Sequence, residues 1–67
     1  MIILVNNNQI DLPIEISTLA DFVAWKNIPL QATAIALNGK LIKTEKWSVT
    51  PLANMDNILV ISAAFGG

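Results

Sequence analysis

Ile58-Leu59-Val60-Ile61-Ser62-Ala63 is apolar almost throughout, and Ala64-Phe65-Gly66-Gly67 follows it to the end of the chain. In an extended segment successive side chains point to opposite faces. Alternation would leave one face polar, but this segment is apolar on both. A strand of that kind belongs in the middle of a sheet, with neighbours on either side. The opening run Met1 to Val5 is also continuously apolar and is the natural neighbour.

Working outward, Asn6-Asn7-Asn8 interrupts the first run with residues that tolerate turn conformations. From Gln9 the pattern alternates, with Ile10, Leu12, Ile14 and Ile16 on one face and Gln9, Asp11, Pro13 and Glu15 on the other. This predicts a half-buried strand hairpinned to the first. Pro13 lacks a backbone donor, which assigns the strand to a sheet edge. Ser17-Thr18 then supplies N-cap hydroxyls, and Asp21 falls near the positive end of a helix dipole. Leu19, Phe22 and Val23 have the spacing of a core-facing stripe, and Asn27-Ile28-Pro29 stops the helix. The helix is expected from Thr18 to Lys26, with Trp25 off the stripe and partly exposed.

Ala32 to Leu37 reads as a third strand, Asn38-Gly39 as a hairpin turn, and Lys40-Leu41-Ile42 as a short return. Thr44-Glu45-Lys46-Trp47 predicts one helical turn capped by Thr44, with Trp47 dropping onto the core as a filler with one wet edge. Pro51-Leu52 and Asn54-Met55-Asp56-Asn57 form a looped crossing before the final strand. The order is strand, strand, helix, strand, short strand, strand. One helix covers one face of a mixed sheet. The other face, with alternate residues of the last strand, carries surplus apolar surface.

Composition narrows the function. The 67 residues make one small domain, 1–67, of which 54% are hydrophobic and 13% charged. A chain this short buries only about 60% of its unfolded surface, so apolar surface stays outside, as it does at contact sites for other proteins. The net charge is -1, and Lys26, Lys40, Lys43 and Lys46 are spread along the chain. Nucleic-acid binding needs a dense basic face instead. With no Cys and no His, disulfides and Cys/His metal sites are excluded. We expect no signal peptide ahead of the first strand, no stretch long enough to span a bilayer, and a cytoplasmic setting. Asp11, Glu15, Asp21, Glu45 and Asp56 form no acid/base pair and read as solvated groups or caps. Lys40 and Lys43 are solvated or pair with acids on a partner.

The chain resembles the ThiS family, the small ubiquitin-like sulfur carriers of thiamine thiazole biosynthesis. The resemblance spans essentially the whole chain. Its matching pieces are Ile2 to Asn6, Thr18-Leu19, Ala34-Ile35-Ala36-Leu37-Asn38-Gly39, Trp47, Leu52, Asp56, Ile58 and the terminal Gly66-Gly67. It implies an α+β fold, the ubiquitin-like β-grasp: a mixed sheet of four to five strands with one main helix packed on one face. There are three departures. Met55 stands where the family has a glycine before an aspartate, Lys43 where arginine is common, and Phe65 is bulkier than the usual residue before the glycines.

The resemblance also implies a chemistry. The Gly67 carboxylate is adenylated and then converted to a thiocarboxylate, whose sulfur passes to the thiazole ring of thiamine. A tail of residues 64–67, expected to be flexible, brings Ala64, Phe65, Gly66 and Gly67 to the partners. These are an adenylyltransferase like the ubiquitin-activating enzymes (ThiF type), a thiazole synthase (ThiG type) and a cysteine desulfurase or related sulfur donor. The chain is then a carrier and no enzyme. It binds no cofactor or metal, and the adenylyltransferase consumes the ATP. Side-chain-free residues suit a narrow active site and reach φ/ψ values closed to others. The alternatives are a molybdopterin-type sulfur carrier, a β-grasp interaction module, a protein modifier joined to lysines, and a frayed terminus without function.

Overall fold

A computed structural model describes residues 1–31 and 33–62. The elements are β1 (Ile2–Val5), β2 (Asn8–Asp11), α1 (Leu19–Trp25), β3 (Thr33–Leu37), β4 (Lys40–Ile42), a 3-10 helix η1 (Thr44–Val49) and β5 (Asn57–Ser62). The strands form one sheet in the order β2-β1-β5-β3-β4. β5 is therefore central: parallel to β1 through Leu4↔Asn57 and Val5↔Ile58, and antiparallel to β3 from Thr33↔Ser62 to Leu37↔Ile58. β2 is an edge, as expected, although Pro13, on which that expectation rests, lies two residues beyond its end. This is the mixed β-grasp sheet expected above.

One face of the sheet is closed. Ile3 and Val5 of β1, Ile35 of β3 and Ile58 of β5 pack with Leu19, Phe22 and Val23 of α1 and with Trp47 of η1. Phe22, Ile3, Leu19, Ile35 and Ile58 are the largest fully buried side chains. At about 25 cal/mol per Å² of apolar surface, each contributes on the order of 2–3 kcal/mol. The Trp47 indole Nε1–H donates to the Ile42 carbonyl at 3.0 Å, so its buried polar edge is satisfied.

Local chemistry fixes both ends of α1. Thr18 Oγ1 accepts the Asp21 N–H, and the Asp21 carboxylate reaches back to the Thr18 N–H, a reciprocal capping box. At the other end Asn27 takes a left-handed φ of 57°. Its N–H donates to Ala24 O, and the Ile28 N–H donates to Val23 O. That pair of bonds is a Schellman closure, and Pro29 prevents continuation. The chain at Thr50 to Leu52 ties down the start of α1: the Leu19 N–H donates to Thr50 O, and the Leu52 N–H to Ser17 O.

Three expectations are corrected. The second strand stops at Asp11, because the Ile16 N–H turns back to Pro13 O. Leu12 stays buried and Ile16 half-buried, but Ile14 rides the turn and is 95% exposed. The turn after β4 is a six-residue 3-10 helix whose N-cap is Lys43, and no side chain caps it; Thr44 is its first residue. The last strand begins at Asn57, one residue before Ile58, and is described to Ser62. Ala32, Ala63 and the tail expected at 64–67 lie outside the described residues.

The open sheet face as candidate functional site

The face of the sheet opposite α1 has no covering element among those described. Along β5 the side chains alternate: Ile58 is buried and Val60 packs against the core, while Leu59 and Ile61 are 49% and 45% exposed. The register sets their neighbours. Leu59 stands opposite Ala36, Ala36 is also opposite Leu41, and Ile61 stands opposite Ala34. Leu41 is 63% exposed. Small alanines on β3 thus separate larger side chains on β5 and β4, which makes a shallow apolar surface where the sequence places its surplus. At one end it dips into a hollow of about 310 Å³ between Asn6, Gly39, Asn57 and Leu59.

Asparagines stiffen this end of the sheet. β1 and β5 share only two paired positions, and beyond them the Asn6 side chain takes over. Its Oδ1 accepts the Val60 N–H at 2.8 Å, and its Nδ2 donates toward Val60 O at 3.4 Å. Asn38 clasps the base of β5: Oδ1 accepts the Asn57 N–H at 2.8 Å, and Nδ2 donates to Asp56 Oδ1 at 2.9 Å. Asn54 Oδ1 accepts the Ile2 N–H at 2.8 Å. Sequence reasoning treats these asparagines as turn formers only. They are that too, since Asn6, Asn7 and Asn38 all have positive φ. Their side-chain bonds span up to 54 residues of chain, and no local pattern encodes such a pairing.

The acids stay apart. Asp56 holds its own turn by accepting the Ala53 N–H at 2.7 Å as well as Asn38. Asp11 faces the N-terminal ammonium at 3.9 Å. Glu15 and Glu45 are exposed. The backbone N–H groups of Ser17 and then Thr18 hold the Asp21 carboxyl below the usual carboxylate range, with further help from the Ser17 hydroxyl. Each acid is thus a cap, a clasp or a solvated group. Among the described residues no cluster of three acids, histidines or cysteines could hold a metal ion. No described helix is long and apolar enough to cross a membrane.

The other residues singled out from sequence fall as follows. Trp47 is core, and Trp25 is 41% exposed, with its ring centroid 6.4 Å from that of Phe22 and Lys26 Nζ 6.0 Å away. Lys40 and Lys43 are exposed. Ala64, Phe65, Gly66 and Gly67 lie outside the described residues, so the geometry bears on their point of departure. β5 carries the chain to Ser62, paired with Thr33. The strand that supplies Leu59 and Ile61 to the open face is the strand that leads to the diglycine.

Comparison with known proteins agrees with this architecture. The crystal structure of a thiamine biosynthesis protein (ThiS) from Geobacter metallireducens superposes with a TM-score of 0.84 at 17% sequence identity, covering 100% of both chains. At that identity the likeness is one of fold. No match emerges among curated proteins. The family model described as the ThiS family matches residues 3–67. On that match, the chain belongs to the ThiS family of ubiquitin-like sulfur carriers.

Proposed function

We propose that the chain carries sulfur for the thiazole ring of thiamine as a thiocarboxylate at Gly67. The observation that supports this most directly is the double use of β5. Its outward residues Leu59 and Ile61 belong to an exposed apolar surface, and its direction of travel leads to Gly66-Gly67. A partner that grips the open face therefore holds the strand from which the carboxylate departs. From Ser62, five extended residues reach at most about 18 Å, enough to thread an active site beside the docking surface.

The chemistry belongs to the partners. A carboxylate is a poor electrophile, because its charge repels nucleophiles and oxide is a poor leaving group. An adenylyltransferase of the ubiquitin-activating type lets a Gly67 oxygen attack the α-phosphorus of ATP. Pyrophosphate leaves, and the acyl-adenylate remains. A terminal persulfide sulfur, supplied by a cysteine desulfurase or related donor, attacks the Gly67 carbonyl and expels AMP, forming an acyl disulfide. A thiol then cleaves the S–S bond. It releases the thiocarboxylate and is itself oxidised to a disulfide. Thiazole synthase accepts the sulfur. The cytoplasm is the setting this reading assigns. The chain contributes an apolar grip and a terminus without side chains, and it supplies no acid, base or metal.

Intact-mass analysis tests the reading. After incubation with ATP, the adenylyltransferase and a persulfide donor, the chain should gain the mass of one oxygen replaced by sulfur. A variant lacking Gly67 should fold normally and gain nothing. Sulfur loading of that truncated chain would overturn the assignment, as would an isopeptide adduct to a lysine in place of sulfur.

A further inference from the structure

Seven asparagines stand in the chain, and only Asn38 is followed by glycine. That pair has a chemistry of its own. The backbone nitrogen of the residue after an asparagine can attack the side-chain carboxamide carbon. A side chain on that residue crowds the attack, and Gly39 has none. In the hairpin Asn38 and Gly39 have φ of 52° and 85°, the two positive values that a type I′ turn requires. Gly39 is exposed, and a Cβ built on it meets no other atom within 4 Å. The attacking residue is therefore uncrowded.

The fold holds the other reactant away. Asn38 Oδ1 accepts the Asn57 N–H at 2.8 Å, and Nδ2 donates to Asp56 Oδ1 at 2.9 Å. The Asn38 N–H also donates to Asn57 O at 2.7 Å. Both ends of the carboxamide are thus tied across the sheet to the start of β5. For its carbon to meet the Gly39 nitrogen, the side chain must swing back along its own backbone, and both side-chain bonds must break. The acceptor is itself fixed, because Asp56 Oδ2 accepts the Ala53 N–H at 2.7 Å.

We propose that Asn38 is a self-modifying site guarded by its clasp on β5, and that its reaction is a one-way latch. When the hairpin opens, the Gly39 nitrogen loses its proton to base and bonds to Asn38 Cγ. The Cγ–Nδ2 bond breaks, and ammonia leaves with a proton from solvent. Water then opens the cyclic imide at one of its two carbonyls, giving aspartate or isoaspartate at position 38. No oxidant or cofactor enters. Either product has a carboxylate in place of the Nδ2 donor. In the aspartate form an oxygen faces Asp56 Oδ1 across the former 2.9 Å contact, and two carboxylates sharing a site repel unless one is protonated. Isoaspartate adds a methylene to the main chain and breaks the turn geometry. At neutral pH the clasp does not re-form. The change falls beside the hollow lined by Gly39, Asn57 and Leu59, at one end of the open face. The inference rests on the clasp and not on sulfur transfer.

The test incubates the full chain in mildly alkaline buffer and follows each asparagine by peptide mapping, which separates aspartate from isoaspartate. A synthetic peptide of residues 34–43, which lacks β5 and so the clasp, supplies the unguarded rate. Asn38 should react first among the asparagines, and roughly tenfold more slowly or better in the folded chain than in the peptide. An opening that costs about 1.4 kcal/mol gives that factor. Asn38→Asp, standing in for the product, should lower the Tm at neutral pH by roughly 4 °C or more. Adding Asp56→Asn should restore most of that loss, because donor and acceptor then exchange places. Equal rates in chain and peptide would overturn the guard, as would earlier reaction of another asparagine. An Asn38→Asp variant as stable as the wild type, or one that Asp56→Asn leaves unrescued, would overturn the latch.

Discussion

At the scale of single residues, Met55 is a non-glycine residue in a conformation that suits glycine, as its expected place at a family glycine would have it. Its φ is 71°, in the left-handed region that favours glycine, and its N–H donates to Ile2 O at 2.6 Å. The turn therefore keeps a glycine-type conformation with a methionine in it. The hydrogen bond, the Asn54 side chain on the Ile2 N–H and the Asp56 carboxylate on the Ala53 N–H hold it there. An L residue in this region is strained by roughly 1–2 kcal/mol. Glycine removes the strain but adds freedom to the unfolded chain. Met55→Gly is expected to stabilise the domain by about 1 kcal/mol net, a rise in Tm of roughly 4–8 °C for a domain of this size. Met55 is 55% exposed, so little packing is lost. Calorimetry checks it, and a lower Tm for the glycine variant would show that the methionine side chain holds the turn.

At the scale of elements, α1 is held by its ends, and the N-terminal end is sensitive to acid. Asp21 is the N3 residue of the capping box, and hydrogen bonds from Ser17 and Thr18 favour its charged form. A carboxyl whose pKa falls on folding adds stability that is complete above its unfolded pKa and is lost as pH drops through the folded value. The contribution should therefore be present at neutral pH and fade below about pH 4. Asp21→Asn should melt lower than the wild type at pH 7, and the two curves should converge as the solution is acidified. Parallel curves across that range would remove the carboxylate's role. The start of the helix was legible in the sequence because capping is local: Ser17-Thr18 offered the hydroxyls and Asp21 the first-turn acid, and the structure adds the reciprocal bond between Thr18 and Asp21. The Asn38-Gly39 hairpin was legible for the same reason. The second strand was not, since a perfect alternation through Ile16 outlasts the strand itself. Nothing in period two reveals that Pro13 O will accept the Ile16 N–H and leave Ile14 in solvent. The asparagine clasps were invisible too, because each joins residues far apart along the chain.

At the scale of the whole molecule, one sheet faces in two directions, and β5 divides the labour. Its inward residues Ile58 and Val60 belong to the core, and its outward residues Leu59 and Ile61 leave apolar surface in water. That division was readable from the final segment alone, because a strand apolar on both faces in a chain with a single helix must leave one face uncovered. Stability and partner binding should therefore separate by parity along this one strand. Ile61→Asp replaces a 45% exposed side chain opposite Ala34 with a charge that stays hydrated in the free protein. Its cost to folding should be about 1 kcal/mol, mostly the poor strand propensity of aspartate. In a complex that covers the face, the same carboxylate is buried without a partner. The loss of adenylyltransferase affinity should reach about 2 kcal/mol or more, roughly 30-fold. Val60→Asp, one residue earlier, turns the charge toward the core and should unfold the domain before binding can be measured. Melting curves and titration calorimetry on the two variants distinguish the cases. If Ile61→Asp lost stability and binding in proportion, the open face would be an extension of the core, and the partner would have to grip the chain elsewhere.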